Sequence, residues 1–156
     1  MRIASVRDGV VPIASAIANA AQRSAHADEI AELIRPELGG LIVQKLCGVR
    51  EPLRVMTLEG QLEGLLGQAA RADPGRHVIE PELGRRIVDS VTRAAQPLIA
   101  EAKPFALVVQ PAIRVAIRKL VKSCLPDTPV LSFFEVPEEK QVEVVAVIGA
   151  PGALPA

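Results

Sequence analysis

Aromatic residues are scarce in this chain, which has three Phe and neither Trp nor Tyr. Proteins that bind nucleic-acid bases commonly stack them on aromatic side chains. The scarcity therefore argues against bases, and against sugars, as ligands. Charge of one sign is also lacking, because 18 basic residues balance 18 acidic ones. The chain thus lacks the simplest electrostatic basis for binding nucleic acid or an anionic membrane.

Cysteine and long hydrophobic runs are scarce as well. Cys47 and Cys124 stand far apart, without the spacing of a metal site, and are interpreted as packed, reduced thiols of a cytosolic protein. The longest apolar stretch, residues 10–21, contains Pro12 and is too short to span a membrane. The N-terminus does not match a signal peptide, because Asp8 interrupts its short apolar segment. These absences predict a soluble, cytoplasmic chain.

Aliphatic residues dominate what remains. The chain has 156 residues and is 49% hydrophobic, which is enough for one domain with a real core or for two small ones. A neutral, apolar protein lacks the self-repulsion that keeps copies apart. The composition therefore favours self-association and contacts with other proteins.

The first third of the chain has the periodicity of helices. Asp8 is placed to begin one helix, and Asp28 is placed to cap a second that extends to Leu46. Pro36 interrupts this second pattern and is followed by the pair Gly39-Gly40. Proline inside a helix removes a backbone hydrogen bond and costs about 3 kcal/mol. We expect a kink here, or a close backbone contact that requires glycine.

From Val49 onward, strand and helix patterns alternate. The predicted strands are Leu53–Leu58, Arg76–Ile79, Phe105–Val109, Val130–Phe134 and Val142–Ile148. Helices are predicted between them, with Pro97 disturbing the last turn of the longest and a turn at Pro137–Lys140. The strand–helix–strand unit from Phe105 to Phe134 predicts one right-handed crossover between parallel strands.

These patterns predict an α+β fold. A small all-helical subdomain, residues 1–48, precedes a compact α/β subdomain, residues 49–149, whose mixed sheet contains one βαβ crossover. The Pro/Gly/Ala-rich residues 150–156 are predicted to be a flexible tail.

Motifs of catalysis and cofactor binding are missing from the sequence. His26 and His77 stand in no recognisable nucleophile context, and no phosphate-binding loop or zinc-protease motif occurs. The first turn of the crossover, Gln110–Ala112, lacks the glycines of a phosphate cradle. We therefore predict no catalytic, cofactor-binding or metal-binding residues and no enzyme activity. The alternative is a small stand-alone enzyme or ligand-binding βαβ module that holds a nucleotide or acyl group at this turn.

Two groups of charged residues remain to be interpreted. Glu135, Glu138 and Glu139 form an acidic cluster, for which solvation of a tight turn is favoured over acid–base chemistry. Arg114, Arg118 and Lys122 are spaced four apart, with Lys119 alongside. They indicate either a basic ridge for an acidic partner or nucleic acid, or the solvated back of an amphipathic helix.

A series of segments spans nearly the whole chain. The segments are Ser5–Asp8, Ile34-Arg35 with Leu38–Ile42, Leu53–Leu58 with Leu62–Leu66, Ala106–Val109 with Pro111–Arg114, Leu125–Ser132, and Glu135–Pro137 with Gln141–Val145. In this order they resemble the third and fourth cytosolic subdomains of the FlhA/LcrD/SctV export-gate family of type III secretion. The chain departs from the family at Pro36 and at Gly39-Gly40, where the family usually has no proline and has Gly-Arg.

The resemblance implies a homo-oligomeric, typically nine-membered ring that docks chaperone–substrate complexes and helps to order substrate export. It implies ring contacts in the helical subdomain and contacts with soluble partners in the α/β subdomain. The expected ring-contact residues are Arg7, Asp8 and Arg35. The expected partner-contact residues are Arg114, Arg118, Ser132, Glu135 and Pro137.

The resemblance also implies partners and a location. Besides itself, the protein is expected to bind chaperone–substrate complexes, the export ATPase complex and gatekeeper proteins, and no nucleic acid. It is expected at the cytoplasmic face of the bacterial inner membrane, held there only through an N-terminal membrane domain that this chain lacks.

Overall fold

The computed structural model describes residue 27, residues 29–74 and residues 78–149. The chain divides into two units, Met1–Pro36 and Glu37–Ala156. In the first unit, the described residues 29–34 are helical. The predicted helix that begins at Asp8 lies outside the described residues.

A single 3-10 turn, Arg35–Leu38, interrupts the second predicted helix at Pro36. Helix α1 follows as Gly39–Leu46. The interruption agrees with the predicted kink, because the proline ring cannot occupy an undistorted helix interior. The close backbone contact is also present. A Cβ atom on Gly39 would overlap the carbonyl oxygen of Glu135, whereas one on Gly40 would lie 4.0 Å from the nearest atom, Cγ of Pro137.

The second unit continues with a regular α/β order. Strand β1 is Leu53–Leu58, α2 is Gly60–Ala72, α3 is Pro81–Ala100, β2 is Ala106–Val109, α4 is Arg114–Cys124, β3 is Val130–Ser132 and β4 is Val142–Ile148. Short 3-10 turns, Pro111–Ile113 and Phe133–Glu135, precede α4 and follow β3. Pro81 begins α3, where a missing N–H group costs nothing.

The four strands form one sheet in the order β3-β2-β1-β4. All three pairings are parallel, with Val55 opposite Ala106, Leu107 opposite Val130, and Leu53 opposite Val142. The α+β fold class is confirmed, with helical residues preceding an α/β portion. The predicted mixed sheet is wrong in strand direction, because every paired strand described runs the same way.

The connection from β3 to β4 explains this difference. The two strands lie at opposite edges of the sheet, so residues 133–141 must cross one of its faces before β4 begins. The predicted turn at Pro137–Lys140 is present, and the N–H of Lys140 donates to the carbonyl oxygen of Pro137 over 3.0 Å. This turn does not join neighbouring strands, so it does not reverse the strand direction.

Each face of the sheet is covered by its own hydrophobic cluster. Helices α2, α3 and α4 cover one face, where Met56, Leu107 and Ile117 have no exposed surface. On the other face, Val43 of α1 and Cys47, which follows the helix, pack against Val55 and residues of β2 and β3. Burying one such aliphatic side chain stabilises the fold by about 1.5–3 kcal/mol. The central strand β2 is therefore buried on both sides, as its uninterrupted apolar run predicts.

Two sequence predictions need correction at the level of single elements. Residues 78 and 79 belong to no strand, and residues 76–77 of the predicted strand Arg76–Ile79 lie outside the described residues. Phe133 and Phe134 belong to a 3-10 turn instead of the preceding strand. Helix α3 ends at Ala100, so Pro97 lies in its last turn, where the sequence analysis placed it.

The predictions for the cysteines and for the domain boundaries can be compared with the described residues. Cys47 is buried, Cys124 is half-buried, and both are free thiols. Helix α1 packs in the same unit as the sheet. The domain boundaries 1–48, 49–149 and 150–156 stay a prediction, and residues 1–26 and 150–156 lie outside the described residues.

Candidate protein-interaction site

The turn that follows β3 is fixed by its own sequence. Ser132 and Glu135 form a capping box, the reciprocal pairing in which each side chain accepts a bond from the other residue's N–H. The N–H of Ser132 donates to Oε1 of Glu135 over 3.3 Å. Both side chains are buried, with only 4% and 1% of their surface exposed. A turn stabilised in this way has little freedom to change shape.

Arg114 braces the same turn from helix α4. Its Nη1 donates to the carbonyl oxygen of Val130 over 2.9 Å, and its Nε lies 3.8 Å from Oε1 of Glu135. Arg114 itself is 5% exposed. Two buried opposite charges are tolerated only when they are paired and hydrogen-bonded, and this arrangement meets both conditions. The pair ties α4 to the end of β3.

Two aromatic rings project outward from this braced turn. Phe133 is 47% exposed and Phe134 is 71% exposed, and the chain contains only one other Phe. Large aromatic side chains fixed on a rigid backbone are typical anchors of protein interfaces. The turn therefore presents a candidate docking surface, which we call the Phe133–Phe134 turn.

The sequence-predicted partner-contact residues fall into a buried group and a more exposed group. Arg114, Ser132 and Glu135 are buried and form its internal support. Arg118 is exposed on α4, and Pro137 is half-buried. Arg114 is thus not part of an exposed basic ridge, although Arg118, Lys119 and Lys122 are exposed.

Of the three predicted ring-contact residues, only Arg35 lies among the described residues. Arg7 and Asp8 lie outside the described residues. Arg35 is half-buried in the 3-10 turn that precedes α1. The exposed phenyl rings of Phe133 and Phe134 were missed by the sequence analysis. The Ser-x-x-Glu spacing of residues 132–135 was the available signal, since it is the signature of a capping box at the start of a helical turn.

The first turn of the crossover is filled by a side chain of this chain. The N–H of Gln110 donates to Oε1 of Glu63 over 2.6 Å, and Nε2 of Gln110 donates to the Glu63 carbonyl over 2.8 Å. Burial raises the pKa of the Glu63 carboxyl, and the bond from Gln110 lowers the pKa by a smaller amount. A phosphate bound at this turn would have to displace Glu63, so this geometry does not favour a nucleotide site.

A small apolar groove of about 120 Å³ lies between α2, the start of α3 and the start of α4. Leu66, Leu83 and Ile113 are among its lining residues. Glu80 also lines it, but its carboxylate caps α3 by accepting bonds from the N–H groups of Leu83 (3.0 Å) and Glu82 (3.1 Å). These bonds lower the pKa of Glu80. Glu80 is therefore held as a helix cap and is poorly suited to accept a proton.

Residues 29–74 and 78–149 contain no group of three His, Cys, Asp or Glu side chains that could hold a metal ion. No helix in this part of the chain is long and apolar enough to cross a membrane. His26 and His77 lie outside the described residues.

Comparison with known proteins identifies the family. The model of the FHIPEP family matches residues 3–141, which is nearly the whole chain. The chain belongs to the FHIPEP family. A search of curated protein sequences gave no match.

Solved structures share the fold of this FHIPEP chain. Shigella flexneri MxiA is 24% identical with a TM-score of 0.59, and the match covers 77% of this chain and 38% of MxiA. The nonameric EPEC SctV-C is 21% identical with a TM-score of 0.62, covering 74% and 35%. CdsV in the Chlamydia pneumoniae CdsV and CdsO protein complex is 22% identical with a TM-score of 0.63, covering 75% and 35%. The chain therefore spans little more than a third of each structure.

The family match and these structural neighbours confirm the predicted resemblance to the FlhA/LcrD/SctV proteins. This FHIPEP chain is thus related to the export-gate component of the type III secretion apparatus, which transports proteins across the bacterial inner membrane. The binding partners and the assembly of these relatives involve their full chains, of which this chain matches only a part.

Proposed function

We propose that this FHIPEP chain is a docking and assembly part of the type III export gate, at the cytoplasmic face of the bacterial inner membrane. It forms part of a homo-oligomeric ring, receives chaperone–substrate complexes and helps to order their export. The Phe133–Phe134 turn is the observation that carries this proposal. Exposed aromatic rings on an internally braced turn supply the preformed apolar anchor that protein docking requires.

Ring formation is supported by the first unit of the chain. Ile30, Leu33 and Ile34 are all about half exposed or more, at 55%, 77% and 48%. Aliphatic side chains exposed together on one helical segment are typical of a surface that another protein covers. The related SctV-C is nonameric. In the proposed ring, Arg7, Asp8 and Arg35 lie at the contact between subunits.

Partner docking is assigned to the second unit. The proposed partners are chaperone–substrate complexes, gatekeeper proteins and the export ATPase complex, and the related CdsV has been solved in complex with CdsO. Phe133 and Phe134 are the anchors, and Arg118 and Pro137 lie at the rim of the contact. The membrane is reached only through an N-terminal domain of the full protein, and nucleic acid is not a partner. Docking acts through binding free energy and needs no bond-making chemistry.

The test for ring formation is the mass of the full 156-residue chain against its concentration. Light scattering with refractive-index detection is suitable because the chain has neither Trp nor Tyr. We expect large species at high concentration, weakened by Arg35→Glu and unaffected by Arg85→Glu, a control on an exposed site of α3. A strict monomer at every concentration would contradict ring formation by this chain.

The test for docking is binding of a purified secretion chaperone–substrate complex to the immobilised chain. The double variant Phe133→Ser/Phe134→Ser should bind at least about tenfold more weakly, because it removes the aromatic anchors. Ile99→Ser is the matched control, since Ile99 is 53% exposed and lies on helix α3. Equal binding by the double variant and the control would rule out the Phe133–Phe134 turn as the docking surface.

A further inference from the structure

The two edges of the sheet differ in how well they are protected. Strand β3 is short, and its outward carbonyl on Val130 is bound by Arg114 over 2.9 Å. Strand β4 is the longest strand of the sheet and lies at the other edge. Among residues 29–74 and 78–149, no strand pairs with its outer side. Proteins usually block such edges, because unpaired backbone groups can pair with another chain.

The backbone of β4 directs hydrogen-bonding groups toward this open side. The N–H of Leu53 donates to Gln141 over 2.8 Å, and the N–H of Glu59 donates to Ile148 over 2.7 Å. Bonding directions alternate along a parallel strand. The neighbouring residues Val142 and Val147 therefore direct their N–H and C=O groups away from β1. The same alternation applies to Val144, which precedes the register shift in the β1–β4 pairing.

The side chains of these three outward residues are also exposed. Val142, Val144 and Val147 are 46%, 55% and 53% exposed. They stand opposite Leu53, Val55 and Thr57 in the β1–β4 register, so they share one face of the sheet. On that face, Leu53 and Val55 are each 1% exposed. The covered part of this apolar face thus ends at β1. Val142, Val144 and Val147 extend the same face onto β4, without a cover among the described residues.

Exposed charge at the outer edge of β4 is mainly negative, because Arg54, which stands opposite Glu143, is bound by Glu101 over 2.6 Å. Glu138, Glu139 and Glu143 are exposed, at the turn before the strand and within it. The nearby Lys140 is turned to the loop after α1, because its Nζ donates to the carbonyl oxygen of Gly48 over 2.8 Å. A second β4 strand paired here would bring further carboxylates to an already acidic edge, which is unfavourable. The charge therefore favours a basic partner over a second copy of this chain.

We propose that the outer edge of β4 binds an extended polypeptide segment as a fifth strand of the sheet. The segment has alternating aliphatic and basic side chains. Its backbone pairs with the outward groups of Val142, Val144 and Val147, its aliphatic side chains cover these valines, and its basic side chains face Glu143 and the preceding turn. Strand addition of this kind draws its affinity from main-chain bonds and its specificity from alternate side chains. The proposal is independent of ring formation and of the Phe133–Phe134 turn.

The test uses a fluorescein-labelled peptide of about nine residues in which Val and Lys alternate. The variant Val144→Pro removes one outward N–H group, and proline is tolerated where an edge strand faces solvent. Val144→Thr is the matched control, since it keeps the N–H and the branched side chain. We expect saturable binding by the wild type and by Val144→Thr, and binding at least about tenfold weaker by Val144→Pro.

A second measurement keeps the test independent of protein folding. A peptide of the same sequence, N-methylated at alternate residues along one edge, keeps its charge but cannot pair along that edge. It should lose binding to the wild-type protein, and Glu143→Gln should weaken binding of the unmodified peptide. Equal binding of both peptides would overturn the proposal, since charge alone would then explain the affinity. Concentration-dependent dimers that Val144→Pro abolishes would overturn it in favour of pairing between two copies of β4.

Discussion

The carbonyl oxygen of Glu135 occupies the position that a Cβ atom on residue 39 would need, so only glycine fits at Gly39. This contact joins the start of helix α1 to the turn after β3. The same Glu135 is held from the other side by Arg114. Helix α1, the turn and helix α4 are thus connected through one buried carboxylate residue, and the exposed Phe133–Phe134 turn depends on all three.

The Gly39→Ala variant should be strongly destabilised. The added Cβ would overlap backbone, which cannot move aside as a flexible side chain can, and overpacking of this kind costs about 1–3 kcal/mol. Gly40→Ala is the matched control, because its Cβ would lie 4.0 Å from the nearest atom, and alanine is favoured over glycine in a helix by up to about 1 kcal/mol. Urea unfolding followed by circular dichroism measures both. Equal stability of the two variants would contradict the close contact.

This contact shows how far the sequence analysis could reach. Pro36 and Gly39-Gly40 are strong local signals, so a kink or a close backbone contact at this point could be predicted from the residues alone. The partner of the contact could not, because Glu135 is distant in sequence and only the folded chain brings it to Gly39. The direction of β4 was missed for a related reason. The turn at Pro137–Lys140 was predicted correctly, but turn residues carry no information on which strand the next one pairs with.

The periodicity of the sequence did not reveal which charged residues of the site are buried. Arg114 has the spacing of Arg118 and Lys122, so the pattern placed all three on one exposed face. Arg114 is buried with Glu135 and the Val130 carbonyl among its partners, and such partnerships exist only in the folded chain. The two exposed Phe residues were missed because apolar residues after a strand resemble more strand. Local elements were thus largely predictable, whereas the residues that present the site were not.

Breaking the Arg114–Glu135 pair should cost far more stability than removing an exposed charge from the same helix. Arg114→Ala leaves the Glu135 carboxylate and the Val130 carbonyl buried without this partner, and removing one member of a buried pair costs about 3–5 kcal/mol. Arg118→Ala, one turn later on the same helix and exposed, should change stability by less than about 0.5 kcal/mol. Urea midpoints of the two variants give the comparison. A cost for Arg114→Ala as small as that for Arg118→Ala would rule out a structural role for the pair.

Two of the glycines in helix α2, Gly64 and Gly67, offer a measurement of the Gln110 contact. A Cβ atom on Gly67 would lie 2.6 Å from Nε2 of Gln110, whereas one on Gly64 would meet no atom within 4 Å. Both Gly→Ala changes gain the same helix propensity, up to about 1 kcal/mol. Only Gly67→Ala must displace Gln110 and break its 2.8 Å bond to the Glu63 carbonyl, which offsets about 1 kcal/mol.

Gly64→Ala should therefore stabilise the protein, and Gly67→Ala should be close to neutral or destabilising. A double-mutant cycle with Gln110→Ala isolates the cause, since removing the Gln110 side chain also removes the overlap. In the Gln110→Ala background, Gly67→Ala should stabilise the protein by about as much as Gly64→Ala does. If it does not, the cost at Gly67 has another origin than Gln110.

The pH dependence of stability should carry a contribution from Glu63. Burial raises the pKa of this carboxyl in the folded state, which means that the folded protein binds the proton more tightly than the unfolded chain does. Its contribution to stability is therefore greatest below the unfolded-state pKa and falls as the pH rises through the raised, folded-state pKa. The side chain is partly exposed, so solvent screening keeps the effect modest.

Glu63→Gln removes the titrating group and keeps an oxygen that can accept the bond from the N–H of Gln110. The stability of this variant relative to wild type, measured as the difference in unfolding free energy, should be greater at about pH 7 than at about pH 3. These two values lie on either side of the ordinary glutamate pKa. Glu138→Gln, at an exposed turn, corrects for the loss of one negative charge. The opposite trend would mean that the 2.6 Å bond from Gln110 outweighs burial and favours the ionised carboxylate. Either trend decides which of these two forces governs the carboxylate that fills the first turn of the crossover.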